Sequence, residues 1–366
     1  MRKKSVTVTV ILLLTIGIAL TVVWRIFMYE TPQMKFVRNM GIGINIGDSL
    51  DSYGLRQYEP EALDLEFETH WGNPKITNQL FVMIKEAGFS TVRIPVTWQD
   101  HMDEDGTVRE EWMDRVQEIV DMALAQDLYV ILNTHHEEWM DLQPEKEEEI
   151  TKMFARLWTQ IAERFMDYDE KLVFEGMNEP RLRDSELEWT AGNEELRGMV
   201  NRLNWVFVET VRSTGSANEE RFLMICPYAT RYEEDAMADL EIPKGNIIVS
   251  IHMYTPYEFC QDEDGMAEWD TTNSECAKYA EEIKVHFQNM NTHFIKKNVP
   301  VIITEFGCTD KDNLDSRIKW LQFYKEQANA AGITYIWWDN GENYRIMDRE
   351  KYEWTFPEIK DVLIKK

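Results

Sequence analysis

Positive charge is scarce in this chain: 39 Lys and Arg stand against 66 Asp and Glu, a formal net charge of −27 over 366 residues. Phosphate contacts need a Lys/Arg surface, so no nucleic-acid partner is expected. Cysteine is scarce too. Cys226, Cys260, Cys276 and Cys308 match neither a CxxC pair nor a zinc ligand set. Cys226 and Cys308 end apolar runs and read as buried thiols. Cys260 and Cys276 flank an acidic loop, which leaves a bridge between them open. No internal repeat and no low-complexity linker interrupts the chain. No glycine-rich turn follows the first apolar run, since Gly41-Ile42-Gly43 lies at or before it, so a dinucleotide site is not expected. No cofactor and no metal is expected.

Apolar residues, at 44%, are enough for a sizeable core, and 13 Trp and 14 Tyr are present. Most of these aromatics belong in the core; those in loops have flat faces on which sugar rings can stack. At the N-terminus, Arg2, Lys3 and Lys4 precede a run from Val6 to Trp24 without charge, closed by Arg25. Basic residues before such a run mark an export segment with a cytoplasmic N-terminus. The run approaches the ~20 residues that span a bilayer, and no A-x-A-like site follows it. A signal-anchor over residues 1–30 is therefore favoured over a cleaved signal peptide. Residues 31–366 are then one extracellular domain, membrane-anchored or secreted.

Past Thr31-Pro32 the pattern is globular. Short apolar runs at 40–46, 91–94, 128–133, 172–175, 221–225, 247–252, 301–305 and 333–338 read as buried parallel strands. Between them, 78–87, 111–125, 145–165, 193–213, 277–297 and 317–331 space apolar residues three and four apart, as helices do. Gly88 and Gly332 stand where helix stops belong. Eight strand–helix alternations predict a single (β/α)₈ TIM barrel; a doubly wound open sheet is the alternative. Active-site groups in such barrels come from the C-terminal strand ends. Those ends carry Asn45, Arg93, Asn133 with His135 and His136, Asn178 with Glu179, His252 with Tyr254, Glu305, and Trp337-Trp338-Asp339. Two carboxylates, after strands 4 and 7, are what a glycosidase requires: one to protonate the leaving oxygen, one to attack the anomeric carbon.

The motifs then carry a resemblance. Asn178-Glu179-Pro180 after strand 4 and Ile303-Thr304-Glu305-Phe306-Gly307 at strand 7 resemble the acid/base and nucleophile signatures of glycoside hydrolase family 5, a family of retaining barrel enzymes. Thr91-Val92-Arg93-Ile94-Pro95, Asn133-Thr134-His135-His136, His252-Met253-Tyr254 and Trp337-Trp338-Asp339-Asn340-Gly341 are similar to its other strand-end motifs. Thr69-His70-Trp71-Gly72-Asn73-Pro74 and Glu188-Trp189-Thr190-Ala191-Gly192 resemble its subfamily 4, bacterial endoglucanases that also cut xyloglucan or mixed-linkage β-glucan. A further stretch, Gly43-Ile44-Asn45-Ile46-Gly47-Asp48-Ser49-Leu50-Asp51, resembles the same subfamily, but Ile44 replaces a usual Trp and Asp48 a usual Asn, which bears on the adjoining subsite.

The resemblance implies a retaining endo-β-1,4-glucanase acting as a monomer on a β-glucan. Glu179 is then the acid/base, with a raised pKa, and Glu305 the nucleophile, held ionised by Arg93 and Tyr254. His135, Asn178 and His252 orient sugar and carboxyls. Asn45 and His136 bind substrate, Trp338 floors the −1 subsite, and Trp98, Trp139, Trp189 and Trp269 line further subsites. No carbohydrate-binding or dockerin module is expected. Alternatives are a xylanase or mannanase, a tethered barrel that binds glycan without cutting it, and a metal hydrolase using His135, His136, Glu137 and Glu138. Against the last, HExxH is absent, and adjacent residues of a strand point to opposite faces.

Overall fold

A computed structural model describes residues 30–365. The basic N-terminus and the charge-free run after it lie outside the described residues. Among the described residues no helix is long and apolar enough to cross a membrane. Eight parallel strands close into a barrel in chain order. They are β1 (Gly43–Asn45), β2 (Thr91–Ile94), β3 (Tyr129–Asn133), β4 (Leu172–Glu175), β5 (Leu223–Ile225), β6 (Ile247–His252), β7 (Val301–Phe306) and β8 (Thr334–Trp337). The expected strands are all present. The first is shorter than expected because Met40 ends a helix instead, and the fifth begins two residues late.

That helix, α1 (Pro32–Met40), closes the N-terminal end of the barrel. Thr31 caps it and Pro32 starts it, the arrangement favoured at a helix N-terminus. Phe36, Val37 and Met40 pack on Ile131, Val173, Met224, Ile248, Ile302 and Ile336, the inward residues of the strands. Outward residues such as Val92, Leu132, Phe174 and Ile303 join the larger core beneath the helix ring. The principal ring helices are α2 (Asn78–Ala87), α3 (Glu110–Ala125), α4 (Glu147–Arg164) and α5 (Glu194–Ser213). Two short ones follow, α6 (Glu234–Ala238) and α7 (Tyr257–Cys260), then α8 (Ser274–His293), α9 (Leu314–Ala331) and α10 (Pro357–Ile364). Gly88 and Gly332 end α2 and α9 with φ of 105° and 72°, a conformation costly for any residue with a Cβ.

Ile44 is fully buried in the outer core and faces away from the barrel interior. All four cysteines are free and buried. Cys260 and Cys276 are not joined: the Cys276 thiol lies against Met266 Sδ, at 3.8 Å, and the Glu268 carbonyl, at 3.6 Å.

Arg221 explains the late start of β5. Its buried guanidinium meets the Asn218 side chain at 2.6 Å and the carbonyls of Phe165, Tyr168, Asp169 and Leu172 at 2.8–3.0 Å. It thereby gathers the turn that leads into β4. Burial lowers its pKa to about 10, still ionised at neutral pH. Arg221→Met leaves those carbonyls unpaired. It should destabilise the fold by ~3 kcal/mol and lower the thermal midpoint by several degrees; an unchanged melt would contradict this bracing role.

Candidate active site

Above the apolar plug the barrel interior turns polar, and Arg93 is its centre. Its side chain has no solvent exposure. Nε donates to Glu175 at 2.6 Å, Nη1 to Glu305 at 2.7 Å and to Asn45 at 3.0 Å, and Nη2 to Asn178 at 2.8 Å. Burial works against this charge, but Glu175 and Glu305 hold it ionised above the ordinary arginine range. Glu175 also accepts from Ser250 at 2.6 Å and Asn133 at 3.0 Å. Asn45 is expected to bind substrate, yet it is wholly buried. Its amide braces the strand ends instead, donating to the carbonyls of Thr304 at 2.8 Å and Trp337 at 3.1 Å.

Glu305 and Glu179 face each other above this layer. One oxygen of each and a His252 ring nitrogen lie within 4.8 Å of one another. A bulge after Ile251 sets His252 opposite Glu305. Its Nδ1 reaches Glu179 at 2.8 Å and Glu305 at 3.5 Å. Tyr254 donates its hydroxyl to Glu305 at 3.1 Å. Burial, with the charge of Glu305 beside it, raises the phenol's pKa well above its ordinary value, so it stays a donor. His135 stands 4.0 Å from Glu305; burial, with His136 and Arg93 adding to it, keeps its imidazole neutral.

The proton balance differs from the expectation for Glu179. Burial would raise this carboxyl, but the hydrogen bond with His252, with Arg181 and His136 adding to it, lowers it to about 2. Glu305 is raised: burial and the charge of Glu179 outweigh His252 and Arg93. The two carboxyls are close enough that the titration of each depends on the other.

A cleft of 620 Å³ opens over these groups, walled by His136, Trp189, Tyr257, Trp338 and Tyr344. The Trp338 ring lies parallel to His135, 5.8 Å away. It covers Gly47, where a Cβ would come within 2.7 Å of it. Arg349 ties Gly47 to the β8 loop, donating to the Gly47 carbonyl at 2.7 Å and the Asp339 carbonyl at 2.6 Å. Trp98 and Trp269 line no subsite. Trp98 is buried, its indole donating to the Asn133 carbonyl at 3.0 Å, and Trp269 packs between Phe259 and Phe323. Both indoles belong to the larger apolar core outside the barrel. Trp139 is half-buried, bonded to Glu137 at 2.8 Å, and outside the cleft lining. Asp48 borders the β1 loop; burial and the neighbouring Asp51 push its carboxyl up to about 8.

His135 and His136 both reach the cleft. They follow the end of β3, so strand alternation does not separate them. Their ring nitrogens and an Asp51 oxygen lie within 4.8 Å, reach enough for a metal ion. However, Asp51 already accepts the amides of Asp48 and Ser49, and His135 Nδ1 is bonded to Asn133. In the other such group, Glu179–His252–Glu305, Arg93 already holds Glu305.

Sequence reasoning missed Glu175, Ser250, Arg181, Tyr257 and Tyr344. Glu175 left a signal, since a carboxylate inside a buried apolar strand needs a partner. Because Glu175 shares the charge of Arg93, Glu175→Gln should turn that charge onto Glu305 and lower its pKa. The acid limb of kcat/KM should move to lower pH, with a loss in kcat of about tenfold, ~1.4 kcal/mol. An acid limb that stays or rises would contradict this.

Comparison with known proteins agrees with the geometry. Residues 60–344 match the model of Cellulase (glycosyl hydrolase family 5). Endoglucanase A of Clostridium longisporum is 41% identical over 90% of this chain, which spans 65% of that protein's length. The broad-specificity endoglucanase of Ruminococcus champanellensis with bound cellotriose superposes with a TM-score of 0.86 at 35% identity, covering 92% of this chain and 99% of that one. A lichenase from Caldicellulosiruptor, in complex with cellotetraose, gives 0.85 at 36%, covering 92% and 96%. With two facing carboxylates, Glu179 after β4 and Glu305 in β7 of a closed barrel, the chain belongs to glycosyl hydrolase family 5.

Proposed function

We propose that this chain is a retaining endo-β-1,4-glucanase. The observation that carries the reading is the approach of one oxygen of Glu179 and one of Glu305 to within 4.8 Å. Retaining glycosidases set their carboxyls ~5–5.5 Å apart, and inverting ones leave ~6.5–9.5 Å for a water. Glu305 attacks the anomeric carbon while Glu179 gives its proton to the leaving glycosidic oxygen. Glu179, now anionic, takes a proton from the water that releases the glycosyl-enzyme. Arg93 and Tyr254 orient Glu305 and offset its charge. Asn178, held by Arg93, is placed to bond a sugar hydroxyl at the reacting ring, a contact worth most in the oxocarbenium-like transition state. Trp338 floors that ring.

β-Glucan is the substrate class we infer, and the cello-oligosaccharides bound by the compared structures support it. Every residue named comes from one barrel, consistent with a working monomer. We further propose that residues 1–30 hold this barrel on the outer face of a membrane, on the strength of Arg2, Lys3 and Lys4 ahead of a charge-free run.

Proton NMR at early time should show the β-anomer of a cello-oligosaccharide product first. An α-anomer formed first would overturn the mechanism. Glu305→Gly should lose turnover of an activated glycoside and recover it with azide, giving an α-glycosyl azide; no azide product would remove Glu305 from the nucleophile's role. The tethered reading predicts activity in the membrane fraction of the source cells, and activity wholly in the medium would contradict it.

A further inference from the structure

Arg181 follows the catalytic acid by two residues and lies between it and the aromatic rim. Nη1 donates to the Glu179 carbonyl at 2.9 Å and stands 3.6 Å from Glu179 Oε2. Nε donates to Glu188 at 3.1 Å. Glu188 is itself fixed by the Asp184 amide, at 3.0 Å. The flat face of the guanidinium lies 3.9 Å from the centre of the Trp189 ring. Trp189 is 49% exposed and walls the cleft, so one face of its indole rests on Arg181 and the ring is presented to substrate. An arginine held by a carboxylate, a backbone carbonyl and an aromatic face has little freedom to swing away.

We propose that Arg181 is a positioning residue for Glu179, clamped by Glu188 and Trp189 so that the acid and the aromatic platform move as one unit. The idea rests on the glycosidase reading of the site. Its consequence is specific. A sugar stacked on the open face of Trp189 presses on a ring that already holds the cation beside the acid. Loss or displacement of Trp189 therefore loosens Arg181 and alters Glu179 without touching it.

The other charged or titratable groups around Glu179 are His252 from β6 and Tyr254 after it, Glu305 from β7, His136 after β3, and Cys226 and Arg231 after β5. None of them is held by Trp189. His252 is the nearest, at 2.8 Å, but the strand β6 carries it, apart from the loop that bears Trp189. Arg231 is tied to Glu233, with Nε 2.9 Å from Oε2. Arg181 is thus the permanent cation that can follow the platform. Its sign is plain: a fixed positive charge disfavours the proton on Glu179, so removing it should retain that proton to higher pH.

The test is a carbon-13 NMR titration of the Glu179 side-chain carboxyl in the full chain, without substrate, in the parent, Arg181→Met, Arg181→Lys and Trp189→Ala. Arg181→Met should move the titration up by about one pH unit. Arg181→Lys should restore most of the parent position, and Trp189→Ala should move it part of the way in the same direction. The basic limb of kcat/KM on cellotetraose should rise in step in each variant that stays folded by thermal melt. Glu188→Gln, a milder change, should give a smaller rise if Arg181→Met melts early. A Glu179 titration that stays in place in Arg181→Met and Glu188→Gln, or falls, overturns the proposal. A shift there with Trp189→Ala unchanged overturns the link to the platform. Because the titration needs no substrate, a parent chain that cuts no β-glucan would refute the proposed function and leave this result standing.

Discussion

The site depends on one buried guanidinium. Arg93 has no water to solvate it and is paid for by four side chains drawn from β1, β4, β7 and the loop after β4. A charge this deep is tolerated only when paired and fully hydrogen-bonded, and removing one partner of such a set typically costs ~3–5 kcal/mol. The same constraint gives the site its precision. Because Arg93 must meet Glu175, Asn178 and Glu305 together, the ends of β4 and β7 are locked in one relative position. Glu175 takes part of the charge, so Glu305 is oriented without facing the arginine alone.

Around that centre the structure divides labour between strands and loops. The strands supply groups held from behind: Asn133 and Ser250 on Glu175, Asn45 on the carbonyls of β7 and β8. The loops supply aromatic walls of the cleft, with Trp338 resting on Gly47 and Trp189 resting on Arg181. A rigid apolar plug beneath, built from α1 and the inward Ile, Val and Met residues, keeps water from the lower barrel. The polar layer therefore meets solvent only on the cleft side.

The architecture was legible in the order and length of the apolar runs, because buried parallel strands have no polar face to hide. Glu179 and Glu305 were legible through short motifs that tie a residue to a strand end. Glu175 carried the same kind of signal, but nothing in a linear sequence names its partner 82 residues away. Trp98 and Trp269 show the converse limit. Loop position marks an indole as a candidate platform, yet whether the loop turns over the cleft or over the helices is decided by tertiary packing. The proton balance was equally out of reach. Glu179 reads as a raised acid when its one expected neighbour is the Glu305 carboxylate, and reads differently once the His252 nitrogen is 2.8 Å away. Nor could spacing alone tell that α1 would close the barrel floor, since nine residues with a Pro start carry little periodicity.

The most direct test of the account is to trap the covalent intermediate. A 2-deoxy-2-fluoro-cellobioside with an activated leaving group should inactivate the enzyme with one equivalent of sugar attached. Mass spectrometry of the digest should place that sugar on Glu305. Label on any other residue, or turnover of the reagent with no covalent adduct, would contradict Glu305 as the nucleophile and with it the role assigned to Arg93.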